Sequence, residues 1–162
     1  MRKPLNRKVL WFWLFISGLV IVLDQLTKFW STEHLSEIPI RILPGLDLTL
    51  RYNTGAAFSF LADASGWQRW FFVGLAFGVT IVIYLWLRRL SRDDRQEGLA
   101  LSLILGGALG NVIDRLCHGY VIDFILLYYQ RWEWPAFNLA DSAICLGVIL
   151  LTPILLKEAK QK

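Results

Sequence analysis

The strongest chemical signal in the chain is a pair of aspartates. Asp123 stands in Val121-Ile-Asp-Phe-Ile125, and Asp141 in Phe137-Asn-Leu-Ala-Asp-Ser-Ala-Ile144, where the last apolar run begins. An ionised carboxylate at membrane depth costs about 2.5–3.5 kcal/mol on insertion, so one that persists there is a candidate for function. Two carboxylates that converge in a low dielectric cannot both ionise easily; one keeps a proton and the pair titrates as a unit. The ionised member can take a proton from water while the neutral member polarises a carbonyl and later protonates the departing amine. That is the chemistry of an aspartic peptidase.

Competing chemistries have little to work with. His34 and His118 are the only histidines, neither has a metal-binding partner at suitable spacing, and there is no HExxH. Cys117 and Cys145 form no CxxC, so neither a zinc site nor a redox motif is expected. Cys145 lies inside an apolar run and reads as a small core residue, not as half of a disulfide.

Further polar residues fall at helical spacing. Asn111, Asp114 and Arg115 share one helix face, and the simplest reading is a self-contained Asp114–Arg115 pair anchoring a helix end. Gly106, Gly107 and Gly110 precede them; Gly106-x-x-x-Gly110 either packs helices closely or leaves a smooth surface for a substrate helix. Asp24 and Lys28 have the favourable order for a helical ion pair. Asn53-Thr-Gly-Ala-Ala-Phe-Ser59 reads as a tight loop, and Asn138 precedes Asp141 by three residues. For Asp123 the structural alternative is a loop carboxylate capping a helix.

The elements that position these residues follow from composition. The chain has 162 residues, 56% of them hydrophobic, with eight tryptophans and ten phenylalanines, and its mean hydropathy is +0.47. Soluble domains hold roughly 45–50% apolar residues. A single integral membrane domain over 1–162 accounts for the excess, because lipid accepts apolar surface that a small core cannot bury. Spans are predicted at about 9–27, 67–87, 98–113 and 137–156, since a helix needs about 20 residues to cross the hydrocarbon layer. The third is short unless Asp114 and Arg115 also lie at membrane depth. The first run has no small-residue cleavage site and reads as a retained anchor.

The net charge is +4, but no basic stripe with interleaved aromatics suggests nucleic acid. Instead, Arg2, Lys3, Arg7 and Lys8 precede the first span, Arg88, Arg89, Arg92 and Arg95 link the second and third, and Lys157, Lys160 and Lys162 follow the fourth. The positive-inside rule then puts both termini in the cytoplasm. In that topology Asp24, Asn111, Asp114, Arg115, Asn138 and Asp141 gather at the outer face. A small proton- or cation-coupled transporter, the main rival reading, would spread polar residues across the membrane depth. Residues 31–66 suggest short strands around a turn at Pro44-Gly45, and 117–136 carry the tyrosines and tryptophans of a headgroup interface. The expected fold is an all-α membrane protein of four transmembrane helices with a small β-containing extracytoplasmic segment between helices 1 and 2.

Taken in order, Asp24-Gln-Leu-Thr-Lys28, Asn53-Thr-Gly-Ala-Ala-Phe-Ser59, Gly106-Gly-Ala-Leu-Gly-Asn-Val-Ile-Asp-Arg115, Val121-Ile-Asp-Phe124 and Phe137-Asn-Leu-Ala-Asp141 resemble the motifs of the lipoprotein signal peptidases, or signal peptidase II, of bacterial inner membranes. The resemblance spans most of the chain and shows no departure at these positions. It implies a multi-pass aspartyl endopeptidase that removes signal peptides from diacylglyceryl-modified prolipoproteins, cutting on the amino side of the lipidated cysteine near the periplasmic face. Asp123 and Asp141 match its catalytic pair. Asp24, Asn53, Asn111, Arg115 and Asn138 match positions that hold substrate or support the dyad, and Gly107 and Ala140, in the same motifs, are expected to share that role. Its partners would be these precursors and membrane lipids, with a monomeric enzyme and no cofactor or metal.

Overall fold

The computed structural model describes residues 7–55 and 66–160, apart from the Glu158 side chain. Its elements are α1 (Arg7–His34), β1 (Ile40–Leu43), β2 (Leu46–Asn53), α2 (Trp67–Leu87), α3 (Arg95–Cys117), β3 (Val121–Tyr129), β4 (Trp132–Glu133) and α4 (Leu139–Ala159). All four helices are long and apolar enough to cross a membrane. A helix stands at each predicted span; α1 runs well past Thr27, and α3 is longer at both ends than the predicted 98–113. Outward-facing Trp11, Phe15, Leu19, Val22, Leu26 and Phe29 give α1 an apolar exterior, which lipid can cover and water cannot do without cost.

α3 is the most buried helix and the axis of the fold. On one side, Gly98 of α3 faces Trp13, Gly106 faces Ser17 and Val20, and Gly110 faces Asp24, so α1 and α3 run parallel. On the other, Gly107 faces Ala140 and Ile144 while Gly147 faces Ala100 and Ile104, so α4 runs antiparallel to α3. A Cβ on Gly107 would stand 2.4 Å from the Ala140 carbonyl oxygen. These glycines therefore bring the protein's own helices together, and the alternative of a smooth surface for a substrate helix is set aside. At the end holding the start of α1, Leu10, Trp13, Ile83, Leu87, Leu101 and Leu105 form a purely apolar cluster.

The opposite end carries a four-stranded antiparallel sheet in the order β1-β2-β3-β4. β1 and β2 turn at Pro44-Gly45 as expected, with Gly45 at φ 89°. β3 corrects the sequence reading, which confined β structure to the segment between helices 1 and 2 and offered a loop for Asp123. Asp123 instead lies inside a nine-residue strand whose first four residues are all buried. Arg51 pairs with Asp123 and Asn53 with Val121. Side chains alternate along a strand, so Asn53 and Asp123 share one sheet face.

The helix packing is testable at a position remote from the sheet. Gly147→Val would put side-chain atoms where Ile104 and the Ala100 carbonyl already stand, and overpacking of this kind costs about 1–3 kcal/mol. A lowered midpoint of thermal unfolding in detergent is the expected outcome; an unchanged midpoint would refute the close α3–α4 contact.

Candidate active site

Asp141 is positioned by the start of α4. Asn138 caps that helix: its Oδ1 accepts the Asp141 N–H at 2.9 Å, and Asp141 Oδ2 accepts the Asn138 N–H at 3.4 Å. This reciprocal arrangement is a capping box, here with aspartate as the acid. Asp24 reaches across from α1 to accept the next free donor, Ala140 N–H, at 2.9 Å. Ala140 is fully buried, and the close approach of Gly107 and Gly110 leaves room there for a methyl group.

Three asparagine amides then converge on the two carboxylates. Asn53 Nδ2 donates to Asp123 Oδ2 at 3.1 Å, and Asn138 Nδ2 donates to Asp123 Oδ1 at 2.7 Å. Asn111 Nδ2 donates to Asp141 Oδ1 at 2.8 Å. In each case the carbonyl oxygen is engaged elsewhere, which fixes the orientation of the amide. Asn53 Oδ1 accepts Gly55 N–H, Asn138 Oδ1 accepts Asp141 N–H, and Asn111 Oδ1 accepts Lys28 Nζ at 2.9 Å. Asn138 thus touches both acids, and the strand and the helix are brought to one site.

Beneath this layer lies an ion cluster that the sequence reading resolved only in part. Lys28, 2% exposed, is bonded to Asp24 and Asp114 at 2.8 Å each. With Asn111, its three N–H groups meet three acceptors. Gln25 Nε2 donates to Asp114 Oδ1 at 2.8 Å, and Asp114 Oδ2 accepts the Ile122 N–H beside Asp123. Asp114 therefore pairs with Lys28 and not with its neighbour, which corrects the expected Asp114–Arg115 pair. Arg115 turns towards β2, donating from Nη2 to the Gly55 carbonyl at 2.9 Å and lying over the Phe72 ring. Its Nε is buried with no partner among the described residues.

The two carboxylates differ in setting. Burial pushes the Asp123 carboxyl up to about 7, and the charge of Asp141 adds to the rise, against the amides of Asn53 and Asn138. Asp141 stands in the first turn of α4, the end at which a helix favours negative charge. A cavity of about 750 Å³ opens over Asp141, lined by Asn111, Arg115, Phe137, Cys145 and Ile149 among others. A smaller one of about 400 Å³ reaches Asp123 from the side of Arg51, Tyr52 and Glu133. Both share Asn53, Trp134, Pro135 and Ala136. Cys145 is exposed on this wall and is not a core residue, which corrects the sequence reading; both cysteines are free.

Every predicted site residue thus falls within one region. Asp123, Asp141, Asn53, Asn111 and Asn138 are directly bonded together, Asp24 and Ala140 hold the start of α4, Gly107 admits it, and Arg115 lines the cavity. Sequence reasoning left out Lys28, Gln25 and Asp114 as a cluster. The Asp24–Lys28 spacing was a usable signal, but its third member lies on another helix. Ala56–Ser59 of the second motif fall outside the described residues. Among the described residues, no group of three His, Cys, Asp or Glu is arranged to hold a metal.

A family model described as "Signal peptidase (SPase) II" matches residues 16–157. This chain belongs to the signal peptidase II family. A lipoprotein signal peptidase of Coxiella burnetii (strain Dugway 5J108-111) is 52% identical over 156 residues, covering 96% of each chain. One from Pseudoalteromonas atlantica is 53% identical over 139 residues, covering 85% of each. A solved structure described as a bacterial membrane enzyme superposes over 100% of this chain and 96% of its own, with TM-score 0.82 and 31% identity. Signal peptidase II enzymes are peptidases that remove signal peptides from lipoprotein precursors, and the four apolar helices make this member a multi-pass bacterial membrane protein.

Lys28 offers a test of the buried cluster. Lys28→Met would leave Asp24 and Asp114 buried without a counter-charge, a loss that typically costs about 3–5 kcal/mol. Thermal unfolding should show strong destabilisation, largely reversed when Asp24→Asn and Asp114→Asn are added. Equal stability of Lys28→Met and wild type would mean that the cluster is not buried in the folded enzyme.

Proposed function

We propose that this protein is an aspartyl endopeptidase of the bacterial inner membrane that cleaves diacylglyceryl-modified prolipoproteins on the amino side of the lipidated cysteine. The observation that carries this reading is the convergence of Asn53, Asn111 and Asn138 on Asp123 and Asp141, where two cavities share a wall. Three amide donors make the pair a firmly held acceptor site. The raised Asp123 carboxyl supplies the proton that the pair shares.

In this mechanism Asp141 is the base and Asp123 the acid. Asp141 takes a proton from water as its oxygen attacks the scissile carbonyl carbon, and Asp123 gives its proton to the carbonyl oxygen. The tetrahedral diol collapses as Asp141 passes its proton to the departing nitrogen, the C–N bond breaks, and a diol hydroxyl returns a proton to Asp123. Both carboxyls are thereby reset. The unpartnered Arg115 Nε and the groove wall hold the substrate backbone. Exposed Leu146 and Ile149 open the larger cavity towards lipid; an apolar signal helix and acyl chains can enter there, gaining about 0.8 kcal/mol per buried methylene. The basic flanks support a reading with both termini in the cytoplasm and the site at the periplasmic side.

A transporter reading is disfavoured by the other half of the bundle, where Leu10, Trp13, Ile83, Leu87, Leu101 and Leu105 pack into an apolar cluster and, among the described residues of that cluster, no carboxylate is found. Purified enzyme in detergent, given a diacylglyceryl-modified prolipoprotein, should release the signal peptide, with Asp123→Asn and Asp141→Asn each slower by at least about 10³-fold. Wild-type rates in either folded variant would overturn the dyad, and equal cleavage of an unmodified precursor would remove the role of the lipid.

The acid's proton sets the pH response. Rising pH removes it from Asp123 at about 7, so kcat/KM should fall on the alkaline side with a midpoint near that value. A flat profile from 6 to 9 would exclude Asp123 as the acid.

A further inference from the structure

At the other end of the bundle lies a cavity of about 550 Å³ that the peptidase chemistry does not use. It is bounded by Lys8, Phe12 and Trp13 of α1, Arg92 of the α2–α3 link, and Arg95 and Leu99 of α3. Sixteen residues of α1 separate Lys8 from Asp24, about 24 Å along the helix. Among the described residues, three cations thus rim an apolar slot and no carboxylate lines it. Among the described residues no salt bridge engages Lys8, Arg92 or Arg95. Asp94 Oδ2 accepts the backbone N–H and the hydroxyl of Ser91 at 2.7 Å each, and Glu97 accepts Trp86 Nε1–H.

A second observation points to a ligand. Trp13 is 7% exposed, and its Nε1–H is buried with no hydrogen-bond partner among the described residues. Its ring is fixed in place because Gly98 lies flush against it; a Cβ there would stand 2.2 Å from Cε2. A buried donor left unmade costs about 1–3 kcal/mol, so an acceptor supplied from outside would be favoured.

We propose that this cavity binds one anionic phospholipid, with its phosphate on Arg92, Arg95 and Lys8, an oxygen acceptor on Trp13 Nε1, and an acyl chain between Phe12 and Leu99. Basic clefts between membrane helices suit such headgroups. A positive flank that merely sets orientation would need neither the slot nor the indole. The inference stands on residues remote from Asp123 and Asp141, so it holds or fails separately from the peptidase mechanism.

The test is native mass spectrometry of the delipidated full-length protein in detergent. Phosphatidylglycerol and phosphatidylcholine of identical acyl chains are compared. Phosphatidylglycerol should form a one-to-one adduct, weakened about 30-fold in Arg92→Gln/Arg95→Gln, weakened less in Trp13→Phe, and retained in Arg88→Gln/Arg89→Gln. Unchanged thermal unfolding of the variants keeps misfolding out of the comparison. Equal binding of the two lipids, or equal loss in both arginine pairs, would overturn the proposal. Displacement by inorganic phosphate alone would also overturn it, by making the cleft a simple anion site.

Discussion

The site depends on one buried ammonium. Taking Lys28 out of water costs several kcal/mol, repaid only when its charge is matched and each N–H finds an acceptor. Asp24, Asp114 and Asn111 meet that demand together, and in doing so they tie α1 to α3 at a fixed height. The same groups then serve a second time. Asp24 holds the first turn of α4, and Asp114 holds the start of β3. The elements bearing Asp141 and Asp123 are therefore registered against a common charge cluster, and not against the softer apolar packing of the membrane, where lipid competes on equal terms.

The cluster also sets chemistry at one remove. An amide can face a carboxylate with its NH₂ or with its oxygen, and only the first is favourable. Lys28 takes the Asn111 oxygen, so the Asn111 NH₂ is left for Asp141. The turn at Gly55 does the same for Asn53, and the cap of α4 does it for Asn138. A cation, a turn and a helix terminus thus give one result by three routes: donors aimed at acids. Preorganised donors of this kind need no rearrangement as charge shifts during reaction.

Much of this was legible in the sequence because lipid imposes simple patterns. The four apolar runs, the Pro44-Gly45 turn and the two buried or half-buried aspartates all came directly from residue type and order. β3 was not legible, because Val121, Ile122, Asp123 and Phe124 are all buried; a strand covered on both faces loses its period-two signal. The Lys28 cluster was missed because Asp114 belongs to a different helix, a contact that local spacing cannot reveal. The expected Asp114–Arg115 pair failed for a geometric reason: consecutive helical residues do not face each other, so Asp114 turned inward to Lys28 and Arg115 turned to Gly55. Cys145 was misread since an apolar run shows which residues avoid water, not which of them line a groove.

The distribution of polarity along the bundle bears on the proposed hydrolysis. A peptidase acting on an apolar helix must admit lipid-soluble substrate and water to the same two carboxylates without opening a path through the bilayer. Here the larger cavity runs along α4 past Ile144 and Ile149, whereas the smaller is walled by Arg51, Tyr52 and Glu133. They share a wall of Asn53, Trp134, Pro135 and Ala136, so on the proposed mechanism the two supplies would meet beside Asp123 and Asp141. Towards the other end of the helices, Leu10, Ile83, Leu87 and Leu101 pack into an apolar cluster. On the proposed mechanism, apolar closure at one end and convergent amides at the other are two halves of one requirement: water must reach the scissile bond and go no further.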